Sequence, residues 1–136
     1  MIKIIDGTNE LFVQDKEYVK GFYKKNNILS DTLYSFIDSL EFGLFEDVTY
    51  LNENGVSFGV SHFLGKSDNL GYDVVSTNEQ LKTLVSGYIV FALADDDNPI
   101  CLKQKDNTIV LLDVNSEEML ETFICYTIES FINKIK

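Results

Sequence analysis

Few residues in this chain could support bond-making chemistry. His62 is the single histidine, and Cys101 and Cys125 are the two cysteines. A thiol nucleophile needs a neighbouring base, so either cysteine with His62 is the one Cys/His pairing on offer. Each cysteine, however, sits in an apolar run, PICL or FICY. Apolar surroundings raise a thiol pKa and quiet it. Two buried core thiols are therefore the expectation, with a disulfide as the alternative. His62 reads as a strand histidine whose hydrogen bonds are satisfied, near the turn at residues 54–55. The GxSxG, HExxH and P-loop spacings do not occur.

Metal chemistry fares little better. Two cysteines and one histidine cannot close a structural zinc site without carboxylates. Asp95-Asp96-Asp97-Asn98 offers oxygen ligands to a hard cation. Counted from Asp95, though, the positions that an EF-hand gives to glycine and glutamate hold Ile100 and Asp106. Asp and Asn are ordinary turn residues, so this tetrad reads as a solvated hairpin turn. Carboxylate pairs spaced as in glycosidases carry no signal in a chain with 22 acidic residues. The reading is of a protein that is not an enzyme and needs no cofactor or metal.

What remains is charge. Against 22 Asp and Glu stand 11 basic residues, all lysine, for a net charge of −11. Such a field repels phosphate backbones and anionic membranes, so no nucleic-acid or membrane partner is expected. It steers a basic protein inward, although acidity alone also keeps a protein soluble. Three acidic groupings are candidate partner contacts. Glu41, Glu46 and Asp47 follow one predicted helix. Asp68, Tyr72 and Asp73 belong to or flank a loop. Asp95, Asp96 and Asp97 cap a hairpin. Tyr34, Phe42, Phe45 and Tyr72 lie near these acids as candidate anchors, with core burial the more natural place for Phe42 and Phe45.

The elements that would position these groups follow from periodicity. At 136 residues, 45% hydrophobic and with one proline, the chain fits a single domain over 1–136 with its own core. Residues 15–26 read as a helix, with Asp15 as N-cap and Tyr18, Val19, Phe22 and Tyr23 on one face. A second helix begins near Ser30 or Asp31, with Leu33, Phe36, Ile37 and Leu40 inward and Gly43 beyond its end. Runs 48–52 and 56–63 flank Glu53-Asn54-Gly55, a hairpin signal. Residues 65–72 read as a loop. Residues 76–86 read as a helix: Ser76 and Glu79 have capping-box spacing, Leu81, Leu84 and Val85 face inward, and Gly87 stops it.

Runs 88–94, 100–104 and 108–112 are strands joined by turns too short for anything but antiparallel pairing. The first and third are nearly all apolar, which implies cover on both faces. Residues 117–135 form either one helix, or a strand over 119–126 followed by a helix capped by Thr127; β-branched and aromatic content favours the second. No apolar run is long enough to span a bilayer. The N-terminal MIKIIDGTNE lacks the apolar core of a secretion signal, which points to the cytosol.

Taken in order, these segments resemble the SUKH superfamily, also called the Smi-one/Knr-four family. ILSDTLYSFIDSLEFG, residues 28–43, is similar to the family's helical segment, with Ser30 where proline is usual. YIVFALADDDNPICLK, residues 88–103, is similar to its hairpin, with Asp97 and Asn98 where glycine is common. CYTIESFINKI, residues 125–135, is similar to its closing helix, and the usual tryptophans are absent. The resemblance covers about residues 15–136. It implies an α+β fold: a mostly antiparallel meander sheet with several helices packed on it. It also implies a protein-interaction module. Bacterial members resemble immunity proteins that neutralise polymorphic toxins, often nucleases. Fungal members resemble regulators of cell-wall glucan synthesis. A basic toxin domain is the expected partner, and a cytosolic regulatory or scaffold role is the alternative.

Overall fold

The structure, a computed structural model, describes residues 2–135. It is an α+β fold in which four helices pack on a six-stranded sheet of strand order β1-β2-β3-β4-β5-β6, every neighbour antiparallel. The strands are β1 (Thr49–Leu51), β2 (Ser57–Phe63), β3 (Tyr88–Ala94), β4 (Pro99–Lys103), β5 (Ile109–Leu112) and β6 (Glu121–Cys125). The helices are α1 (Lys16–Lys25), α2 (Asp31–Ser39), α3 (Val74–Lys82) and α4 (Ile128–Ile135), preceded by a 3₁₀ turn at Thr8–Leu11.

Local chemistry explains most of these boundaries. Asp15 accepts a hydrogen bond from Tyr18 N and starts α1. Asn27, at φ 61°, turns the chain out of the helix in the left-handed region that Asn tolerates. Ser30 Oγ accepts from Leu33 N to start α2 and donates to the Glu129 carboxylate on α4. Thr127 Oγ1 accepts from Ser130 N to start α4. The C-terminal segment is thus strand followed by helix.

One helix departs from the sequence reading at both ends. The third helix begins at Val74, with Asp73 rather than Ser76 as its cap: the Asp73 carboxylate accepts from both Val75 N and Ser76 N. It ends at Lys82, so Leu84 lies beyond it and is 64% exposed instead of facing inward.

The apolar runs are buried as their composition implies. Every residue of β3 after Tyr88 is buried. Phe131 of α4 stacks on Tyr50 of β1 at 5.1 Å and meets Phe91 of β3 edge-on at 5.5 Å. Phe63 of β2 packs on Phe36 of α2 at 4.9 Å. Helices α2 and α4 therefore share one aromatic core with the first three strands. Helix α3 rests on β3, and α1 bridges α2 and α3.

The sheet also curls until its two edges meet. Asn52 Nδ2, just after β1, donates to the Ile124 carbonyl of β6 at 2.9 Å, and Tyr50 Oη reaches the same oxygen at 3.5 Å. Helix α4 lies across this seam against both β1 and β6. The edge carbonyl is met by side chains in place of a further strand.

Candidate protein-binding groove

A groove opens where β2 leaves the sheet. Leu64 N still donates to Phe91 O at 2.9 Å. At Gly65 the chain turns away: Gly65 N donates to Tyr72 O, and Gly65 O accepts from Val74 N, which closes the 66–72 loop on itself. Val90, next along the edge of β3, would be left without a partner. Asn78 of α3 fills that place. Its Nδ2 donates to Val90 O at 2.9 Å and its Oδ1 accepts from Val90 N at 2.9 Å. A side-chain amide offers the same donor and acceptor as a peptide, so it continues the ladder for one residue.

A bulge in β3 then shapes the cavity. Register against β4 shifts between Val90 and Ala92. Residues three apart on a regular strand face opposite sides, but across the bulge Val90 and Leu93 line the same cavity. Phe91 meanwhile joins Phe63 and Phe131 in the aromatic core. The cavity is about 440 Å³, bounded by α3, β3, Pro99, Val114 and the 66–72 loop. Leu70 at its rim is 62% exposed.

His62 forms part of the wall and is only 2% exposed. Its Nε2 lies 2.8 Å from the Gly71 carbonyl, and its Nδ1 lies 2.8 Å from Ser61 Oγ. A carbonyl can only accept, so the ring proton sits on Nε2 and Nδ1 accepts from the Ser61 hydroxyl. Burial pushes its pKa below the ordinary value, so the ring is neutral near pH 7. Tyr72 meets it edge-on at 4.9 Å. With both nitrogens occupied, His62 straps the loop to β2. Neither thiol is partnered with it: Cys125 Sγ donates to Thr127 O, and Cys101 is fully buried. Burial raises both thiol pKa values, and no disulfide joins them.

The β3–β4 turn supplies an acidic lip. Asp97 N donates to Ala94 O, Ala94 N donates to Asn98 O, and Asp97 holds φ 65°. This is the three-residue hairpin loop that ends in a left-handed residue, a place where Asp substitutes for glycine. The three aspartates serve different ends. Asp96 turns back on Asn98, accepting from its N and its Nδ2. Asp95 lies over Gly59, where a Cβ would sit 1.8 Å from Asp95 Oδ2. Asp97 alone of the three lines the groove.

The other predicted contacts divide. Tyr72 lines the groove, and Asp68 is exposed on the loop that ends there. Asp73 is not a surface contact: it is 5% exposed, and its carboxylate is spent on Ser67 N, Val75 N, Ser76 N, Ser76 Oγ and Tyr18 Oη. Glu46 and Asp47 line a separate cleft beside Ile2, Thr49 and Ile135. Glu41 is exposed after α2, near enough to Lys16 to act on its charge. Phe42 and Phe45 are core residues, and Tyr34 gives its hydroxyl to the Ile28 carbonyl.

Sequence reasoning did not find Leu70, Thr77, Leu84, Leu93 or Val114 as groove residues, because they come from well-separated segments. The hydroxyl of Thr77 is buried without a hydrogen-bond partner. Among the described residues, no cluster of three or more His, Cys, Asp or Glu side chains could hold a metal ion, and no helix is long and apolar enough to cross a membrane. Comparison with family models, curated proteins and solved structures finds no match.

Proposed function

We propose that this chain is a non-catalytic protein-binding module, an immunity-type protein that binds a basic toxin domain in the cytoplasm and covers its active face. The observation that carries the reading is the juxtaposition of exposed Leu70 and Leu84 with Asp97 in the lining of one groove, beside the Asp95–Asp97 turn. Apolar anchors beside like-signed charges suit protein recognition: the charges set the encounter rate, and the buried anchors set the lifetime. The net charge of −11 and the SUKH-like order of elements support a basic partner. His62 has both ring nitrogens engaged in hydrogen bonds, and both thiols are buried.

The test is affinity capture from the protein's own cells with elution by rising salt, followed by assay of the captured protein's toxicity. One basic protein, held to high salt and silenced by a stoichiometric amount of this chain, is the expected result. A scatter of weakly held cytosolic proteins would replace this reading with the regulatory or scaffold one.

A further inference from the structure

Resting on that reading, we infer that the groove receives one arginine side chain of the basic partner, its stem against Leu70, Leu84 and Leu93 and its guanidinium between Asp97 and Tyr72.

The cavity, about 440 Å³, is at the small end of the usual ligand range of roughly 300–1,000 Å³. It suits a side chain rather than a helix or a folded loop. Its walls are mainly apolar, which suits an aliphatic stem. Asp97 and Tyr72 line the same cavity and offer a carboxylate and an aromatic ring to a cation at the end of such a stem. Among the described residues, no lysine forms an ion pair with Asp95, Asp96 or Asp97. The lip is therefore a negative site that the protein itself leaves uncompensated.

Arginine fits better than lysine for three reasons. Its guanidinium is more weakly hydrated, so it enters an apolar groove at lower cost. Its fork of N–H donors can meet the Asp97 carboxylate through two parallel bonds. Its plane can stack on the Tyr72 ring.

The experiment is an amide-resolved NMR titration of the intact protein with Nα-acetyl-arginine N-methylamide, in parallel with its lysine and norleucine counterparts. The expected result is saturable shifts at Leu70, Thr77, Leu84 and Asp97 with arginine, weaker binding of lysine, and still weaker binding of norleucine. Asp97→Asn, which keeps a residue that tolerates positive φ, should weaken arginine binding about three- to fivefold. Leu84→Ser, at an exposed position, should weaken it similarly, and Asp31→Asn on α2 should change nothing. Non-saturating shifts spread over the acidic surface, equal binding of norleucine or lysine, or indifference to Asp97→Asn would each overturn the inference.

Failure here is separable from failure of the function. If a captured toxin loses affinity for the Leu84→Ser and Asp97→Asn variants while blocked arginine does not bind, the module reading stands and the arginine assignment falls. If arginine binds in the groove and no partner depends on it, the assignment stands and the toxin reading falls.

Discussion

Tyr18 Oη of α1 lies 3.0 Å from each oxygen of the Asp73 carboxylate, the cap of α3. The contact ties the helix that walls the groove to the helix furthest from it in the chain's first half. Its chemistry is mutual. Burial would raise the Asp73 pKa, but the hydrogen bonds from Ser76, Ser67 and Tyr18 outweigh it and hold the pKa below the ordinary value. Burial and the same carboxylate push Tyr18 up to about 12. Lys66 sits 5.3 Å over the Tyr18 ring and 3.7 Å from Asp15, closing the cluster.

Removing this latch should therefore show. Asp73→Ala should cost about 2 kcal/mol, the upper end for an N-cap, because the carboxylate serves several donors. Tyr18→Phe should cost about 1 kcal/mol. The two changes together should cost less than their sum, since they share one interaction. Asp73 has a folded pKa below its unfolded value, so its contribution is complete above the ordinary value of 3.8 and is lost as pH falls through the folded one. Urea unfolding between pH 6 and 2 should show that loss in the wild type and a flatter profile in Asp73→Asn.

His62 gives a second pH window, higher up. Its folded pKa is also depressed, so the unfolded chain binds the proton more readily. Stability is then complete above the ordinary histidine value of 6.5 and falls as pH drops from there through the folded pKa. The ring resonances should titrate below pH 6.5 in the native protein, and His62→Gln should remove this part of the slope. A native His62 titrating at or above 6.5 would contradict the buried, Nε2-protonated ring.

Asn78→Ala should cost about 2–3 kcal/mol, because it strips Val90 N and O of their partner where water reaches them poorly. Native-state hydrogen exchange should show the Val90 amide losing more protection than its neighbours Ile89 and Phe91. An equal loss along β3 would mean general loosening and not a broken local bridge.

Gly65→Ala tests the hinge at which β2 departs. A Cβ there would sit 2.9 Å from Phe42 Cδ1 and 3.1 Å from Phe12 Cδ1, both on buried rings. Overpacking of this kind should cost about 1–3 kcal/mol. Thermal unfolding measures it directly, and a neutral result would show that the two rings can move apart freely.

Much of the architecture was legible because it is written in short-range patterns. The stripes of α1 and α2, the turn at Glu53–Gly55 and the apolar runs of β3 and β5 each carry their own period. The start of α3 was not legible in the same way. Ser76 with Glu79 mimics a capping box, while Asp73 three residues earlier starts the helix sooner by taking the Val75 and Ser76 amides and is itself held by bonds from Ser67 and Tyr18. The signal was present as an acidic residue three before a serine, but its partners are remote in sequence.

The groove was legible only in part. Tyr72 and Asp97 were marked by type and neighbourhood. The apolar walls were not, because a bulge at Phe91 and the departure of β2 bring them together, and neither has a local pattern in the sequence. The cluster Glu46 and Asp47 illustrates the converse: shared charge in the sequence does not imply a shared surface.

The seam between β1 and β6 bears on how this molecule assembles. Asn52 and Ile124 are 72 positions apart, whereas most of the sheet is built from hairpins between chain neighbours. Contacts spanning so long a loop carry a closure cost that nearby pairs avoid, so they form after the local ladders exist. The meander from β3 to β6 can zip first, α4 then lies down, and only at that point does the Asn52 amide find its carbonyl. By the same logic the route in reverse begins there: the clasp that completes the fold is also where it first comes undone.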